Sequence, residues 1–162
     1  VYVRYKYKKK EDKQNHFKHR KRKKALYAIS SSVSLRTYAD GICYTETSEK
    51  SKGWMITQSV SWKPVDIPVQ TDFYVAGFHT DNYRTRIFSY EKNILYAFSM
   101  PSFYGKGIRL SFSFRWDILK KLSLSAKLGH SYYADRDLIG TDQEEIKGHN
   151  KTDMYMLLRY KF

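Results

Sequence analysis

The feature that most restricts this chain is a two-residue alternation that persists through segments of about 9–13 residues. In "GIRLSFSFRW", Ile108, Leu110, Phe112, Phe114 and Trp116 share one face of an extended strand, and Arg109, Ser111, Ser113 and Arg115 share the other. "LSLSAKLGHSYY" sets Leu122, Leu124, Ala126, Leu128 and Tyr132 against Ser123, Ser125, Lys127, Gly129 and Ser131. "WMITQSVSW" places Trp54, Ile56, Val60 and Trp62 opposite Met55, Thr57, Ser59 and Ser61, and "ALYAISSSVSL" places Tyr27, Ile29, Val33 and Leu35 opposite Ser30, Ser32, Ser34 and Arg36. Helical periodicity appears nowhere convincingly. The pattern predicts an all-β chain of about ten antiparallel strands. They fall near 1–9, 24–37, 41–48, 53–63, 69–79, 84–91, 94–100, 106–117, 121–133 and 151–162. Polar or turn-forming connectors separate them, among them "YADG", "SEKSKG", "KPVDIP", "HTDN" and "PSFYGKG".

Alternation alone does not say which face is wet. A soluble β-barrel or sandwich turns its apolar side chains inward. A membrane barrel turns them outward to lipid, and it is the only architecture that crosses a bilayer with every second residue polar. The longest apolar runs, "ILYAF" (94–98) and "MYMLL" (154–158), reach five residues, far below the roughly 20 that a spanning helix needs. Aromatic residues make up 17% of the chain, which argues against disorder. Trp54, Trp62, Trp116, Tyr132 and Tyr160 stand near strand ends on the apolar faces, where interfacial girdles would lie. The opposite faces are crowded with Ser and give a water-facing surface few charges. These features favour a transmembrane, up-and-down antiparallel β-barrel in the cell outer membrane. The alternative is a soluble β-barrel that binds a ligand internally. The 162 residues read as a single barrel domain or a C-terminal barrel fragment. "VYVRYKYKKK" already reads as a strand, so the chain is expected to begin inside a longer protein.

Connection lengths orient the strands, because outer-membrane barrels have short periplasmic turns and longer external loops. With Phe162 on the periplasmic side, the polar stretch 134–150 and the basic stretch 10–23 both fall outside. The last strand carries Met154, Met156, Leu158, Tyr160 and Phe162 on one face. That pattern resembles the C-terminal signal read by the barrel-assembly machinery, with Leu158, Tyr160 and Phe162 as its terminal positions.

The stretch "FHTDNYRTRIFSYEKNILYAFSMPSFYGKGIR" (78–109) carries four spaced elements. They are F-x-T-x-x-Y (Phe78, Thr80, Tyr83), R-I-x-x-Y-E (Arg86, Ile87, Tyr90, Glu91), L-Y-x-F-S-x-P (Leu95, Tyr96, Phe98, Ser99, Pro101) and Y-G-x-G-x-R (Tyr104, Gly105, Gly107, Arg109). They resemble the C-terminal barrel of Gram-negative outer-membrane proteins that carry a helix-hairpin-helix domain. The resemblance covers roughly Trp62 to Phe162. It implies a DNA-handling module upstream of Val1; nothing in the quoted residues shows that hairpin.

Two cationic sets stand out. "KKKEDKQNHFKHRKRKK" (8–24) holds ten Lys or Arg against Glu11 and Asp12, a net +8 of the chain's +14. Read as an external loop, with Lys18, Arg20, Lys21, Arg22, Lys23 and Lys24 as contacts, it would bind a polyanion such as DNA or lipopolysaccharide through backbone charge. The bland reading is a solvated charged surface. Arg36, Arg109, Arg115, Lys127, Arg159 and Lys161 lie on the polar faces and would line a lumen. Such a lining favours anion passage, or it pairs with Glu91, Asp72 or Asp153 inside a packed barrel. Catalysis has little support. His130, Ser131, Asp135 and Asp137 are close in sequence, but adjacent strand residues point to opposite faces. The lone Cys43 and the irregular acids between Asp135 and Glu145 show no metal spacing. The expected function is a non-enzymatic pore, anchor or uptake component, with no cofactor, metal or small-molecule substrate. Its partners would be outer-membrane lipid and the assembly machinery.

Overall fold

The computed structural model describes residues 2–12, 16–46, 49–97, 100–140 and 145–162, with side chains from residue 17 onward. The chain is all-β. Its strands are β1 (Tyr2–Asp12), β2 (His16–Ala28), β3 (Val33–Glu46), β4 (Glu49–Trp62), β5 (Val69–Thr80), β6 (Ile87–Phe88) and β7 (Ser102–Phe103). They continue with β8 (Lys106–Asp117), β9 (Leu122–Tyr133), β10 (Leu138–Ile139), β11 (Ile146–Lys147) and β12 (Asn150–Tyr160). The eight long strands form one antiparallel meander in the order β1-β2-β3-β4-β5-β8-β9-β12. Among the described residues no ladder joins β1 to β12, so the sheet is a curled meander with two edges and no closing seam.

The strands expected at 106–117, 121–133 and 151–162 stand within a residue or two of those bounds. Three expectations need correction. First, 84–91 and the described residues of 94–100 are not strands of the sheet. β5 pairs directly with β8, from Val69 opposite Trp116 to His79 opposite Lys106, and residues 81–105 between them leave the sheet. Only Ile87–Phe88 and Ser102–Phe103 pair, with each other. The reason lies in the charges. Glu91 and Lys92 interrupt any apolar face, and their partners stand on the inner side of the sheet.

Second, "YADG" is not a turn. Tyr38–Gly41 lie inside β3, where Asp40 is buried opposite Arg20 and Arg22. The chain reverses instead at residues 29–32, where the Ser30 hydroxyl accepts the N–H groups of Ser32 and Val33. Third, the described residues of the basic stretch 8–24 lie in two paired strands, not in a loop. β1 and β2 run side by side from Tyr2 opposite Leu26 to Asp12 opposite His16.

Register lines up an apolar row on one face. Met154, Leu128, Phe112, Phe73, Val60, Leu35 and Tyr27 are successive cross-strand partners through seven strands. That face is exposed: Phe112 is 46%, Leu158 62% and Met154 75% accessible. The opposite face is buried although largely polar, with Lys127 at 2%, Ser131 at 3% and Ser111 at 5%, and apolar only around Ile42, Met55, Ala76 and Phe78 at the long-connection end. The side chains are therefore distributed polar-in and apolar-out, the reverse of a water-soluble sandwich.

The sheet curls around its polar face. Arg20 and Arg22 of β2 reach the Phe88 carbonyl at 3.0 Å, while Lys127 of β9 reaches Glu91 at 2.6 Å. On a flat sheet those strands would stand about 24 Å apart, five spacings of about 4.8 Å. Phe88 and Glu91 are separated by at most about 10 Å of chain. Curling of the sheet shortens that span and lets both sets of side chains meet one segment.

Of the two long stretches expected outside, 134–150 is a connection, while the described residues of 10–23 lie in β1 and β2. Long connections gather at one end. Residues 81–105 and 134–149 leave from that end, and residues 29–32, 63–68 and 118–121 turn at the other.

Candidate functional site

The site is the inner face together with segment 81–105, which descends into it. At the long-connection end an apolar wedge seats the segment. Ile87 and Phe103 are buried against Ile42, Met55 and Phe78, with the Phe78 and Phe103 rings 5.1 Å apart. Phe78 also meets Tyr133 edge-on at 5.7 Å. Asn82 caps the short turn Tyr83–Thr85 and donates to the Ser51 hydroxyl at 2.8 Å, which ties the segment's start to β4. Arg136 stacks 4.1 Å from the Tyr104 ring and donates to the Tyr104 carbonyl, closing the far arm. Burial opposes charge on the neighbouring Asp135. The Arg136 guanidinium and the Lys106 backbone outweigh that and hold its carboxyl below the usual carboxylate range.

Deeper in, the contacts become ionic. Tyr74 donates to the Ser89 hydroxyl at 3.1 Å. Glu91 is buried and accepts both Arg109 Nε and Nη2 at 2.9 Å, a bidentate pair, and Lys127 Nζ at 2.6 Å. Arg109 continues to Asp153 at 2.5 Å and to the Ser131 hydroxyl at 3.1 Å. Lower still, Lys92 pairs with Asp72, which also accepts from Ser61. One segment is thus clamped to β5, β8 and β9 directly and to β12 through Arg109.

The clamp needs a gap in β9. Gly129 lies between Ser111 and Asp153 in register, and a Cβ there would overlap the Arg109 guanidinium and the Asp153 carboxylate. Replacing Gly129 by Ala is expected to cost about 1–3 kcal/mol through overpacking. Chemical denaturation would measure it, and an unchanged midpoint would mean that the Arg109–Asp153 bridge is not made.

Of the cations expected to line a lumen, Arg109 and Lys127 are in this buried network. Arg115 pairs with Asp117 near the strand end at 3.0 Å. Arg36 borders the open inner space, lined also by Ser34, Ser61, Asp72, Tyr90 and Lys92, that continues into a cavity of about 420 Å³ beside Glu91. Arg159 is half-buried on the inner side of β12, opposite Ser123, and Lys161 lies beyond the strand. The proposed polyanion contacts split between faces. Arg20 and Arg22 bind Asp40, Lys18 donates to the Arg84 carbonyl at 2.7 Å, and Lys24 sits 5.5 Å from the Tyr38 ring. Lys21 and Lys23 are exposed on the other face. The side chains of residues 8–16, and Phe98 and Ser99 of the resemblance, lie outside the described residues.

Leu158 and Tyr160 point outward on β12, and the Tyr160 and Phe162 rings meet edge-on at 5.4 Å. His130 and Ser131 stand on opposite faces: His130 bonds Thr152, and Ser131 bonds Arg109. Asp137 meets His149 instead. No nucleophile–base set assembles from these residues. Among the described residues no cluster of His, Cys, Asp or Glu has the geometry to hold a metal ion.

The residues that sequence reasoning missed are Tyr74, Ser89 and Lys92, which fasten the segment. The only available signal was the failure of alternation around "YEKN". Comparison with protein-family models, characterised proteins and solved structures finds no match to this chain.

Proposed function

We propose that this chain is the spanning sheet of an outer-membrane β-barrel whose polar interior is filled by its own segment 81–105, and that it works as a gated pore or uptake component without enzymatic chemistry. The observation that carries the reading is the polar-in, apolar-out distribution of side chains, with the unbroken outer row from Met154 to Tyr27. In water that row would be a contiguous apolar patch far larger than monomers expose. In a bilayer it faces hydrocarbon, and the buried serines and charges face one another. Segment 81–105 supplies the gate. Below its apolar seat it is held by ion pairs and hydrogen bonds, contacts that can exchange for water without unfolding the sheet.

In this reading Leu158, Tyr160 and Phe162 engage the assembly machinery. The resemblance of 78–109 to barrels of the helix-hairpin-helix outer-membrane family adds DNA uptake as the candidate task. The test is fractionation followed by electrophoresis with and without boiling. Expression in a Gram-negative host should place the protein in the outer-membrane fraction, with a heat-modifiable band. Recovery in the soluble fraction without detergent would falsify the reading.

A further inference from the structure

The outer face carries a feature that neither the pore nor the plug uses. Just above the apolar rows, on the long-connection side, is a furrow of about 330 Å³. Its walls include Lys21, Lys52, His79 and Trp54, and its floor is Gly41 with the backbone of β3 and β4. Register explains the gap. Lys21, Gly41, Trp54 and His79 are successive cross-strand partners, so the glycine leaves a hole between an ammonium and an indole. A Cβ on Gly41 would meet nothing within 4 Å, and the same holds for Gly77 in the next row toward the belt, beside Ile56. Along β3 the next outward residue toward the belt is Ala39, exposed between Lys23 and Ile56, so the gap continues over two small residues of one strand.

The furrow joins a cationic mouth to an apolar track. Lys21 and Lys52 stand at the mouth with His79, against the one carboxylate of Asp81, which already accepts the Lys52 backbone N–H at 2.7 Å. Trp54 is 49% accessible at the boundary, the position an indole takes between headgroups and hydrocarbon. An ammonium pair binds phosphate as point charges, and an open track over small residues accepts a chain of methylenes. A free phosphate would use only the mouth, and nucleic acid would use no track.

We infer that this furrow binds one phosphate-bearing membrane lipid, its phosphate at Lys21 and Lys52 and an acyl chain along Gly41 and Ala39. The inference rests on the membrane-barrel reading and adds a specific annular-lipid site to it.

Cys43, the sole cysteine of the chain, is exposed inside the furrow and reports its occupancy. The assay is the rate of Cys43 alkylation by a maleimide, with the protein in uncharged maltoside micelles. The arms are dihexanoyl phosphatidic acid, dihexanoyl phosphatidylcholine, inorganic phosphate and a short DNA duplex. Phosphatidic acid alone should slow alkylation. Its half-protecting concentration should rise about fivefold for each of Lys21→Gln and Lys52→Gln. Gly41→Leu should abolish protection while leaving the charges in place.

Equal protection by phosphatidylcholine, or by inorganic phosphate, overturns the lipid-phosphate assignment. Equal protection by the duplex makes the mouth a general polyanion surface and overturns it too. If the protein proves to need no detergent, the membrane reading fails on that ground. The same assay, run below the micelle concentration of the probe, still decides the furrow.

Discussion

Replacing Phe112 by Arg is expected to destabilise the protein in a bilayer by about 2–4 kcal/mol. Phe112 stands in the middle of the outer row, between Phe73 and Leu128, half a strand from either end of β8. A guanidinium there would face hydrocarbon, out of easy reach of the headgroups. The measurement is urea unfolding in liposomes, followed by tryptophan fluorescence, for wild type and variant. The same exchange on a water-facing sheet would cost little, because Phe112 is half exposed and surface changes usually stay within about 0.5 kcal/mol. A near-neutral Phe112→Arg would therefore put water, not lipid, on that face. Phe112→Leu serves as the control for lost packing and should stay well below the arginine effect.

The second large effect is expected at Glu91. Glu91→Gln leaves the buried Lys127 without its carboxylate and strips Arg109 of its bidentate partner, and breaking such a pair typically costs about 3–5 kcal/mol. The loss should concentrate in segment 81–105, because the eight-stranded ladder does not depend on it. Limited proteolysis should then cut between Phe88 and Ala97, and channels in planar bilayers should open more often or conduct more. Lys127→Met in the Glu91→Gln background should recover part of the loss, since it removes the stranded charge. Faster cleavage spread over the whole chain would mean that Glu91 holds the sheet itself. No change in conductance together with a released segment would mean that the segment is not the gate.

The strand content was legible because side-chain period is a local property. Ile108, Leu110, Phe112 and Trp116 advertise one face of β8 wherever the chain places it, and so do Leu122, Leu124 and Leu128 for β9. Loop length was legible for 134–150 alone: the described residues of 10–23 lie in β1 and β2, and the long connection 81–105 reads mostly as strands. Three elements misled. "YADG" has turn chemistry, yet Asp40 has two arginines waiting across the ladder and Gly41 opens a furrow, so tertiary contacts kept the strand straight through it. "KKKEDKQNHFKHRKRKK" reads as a loop by charge. Its described residues lie in paired strands because its inward cations find Asp40, the Phe88 carbonyl and the Tyr38 ring. "RIFSYEK" reads as a sheet strand until its alternation fails at Tyr90–Lys92, and it pairs with none of the long strands.

What the amino-acid sequence determined by itself was the all-β antiparallel character, the two faces of strands such as β8, β9 and β12, and the excess of positive charge. Local sterics and hydropathy decide these, and they need no knowledge of what lies across the sheet. Only the tertiary structure decided which face is buried, and that 81–105 folds inward. It also decided that Arg109 and Lys127 close on Glu91 across a gap left by Gly129. Those outcomes depend on curvature and on pairs of charges 18 to 44 positions apart, Arg109 with Glu91 and with Asp153. A buried charge is tolerable only where its partner arrives, and only the folded sheet brings the partner there.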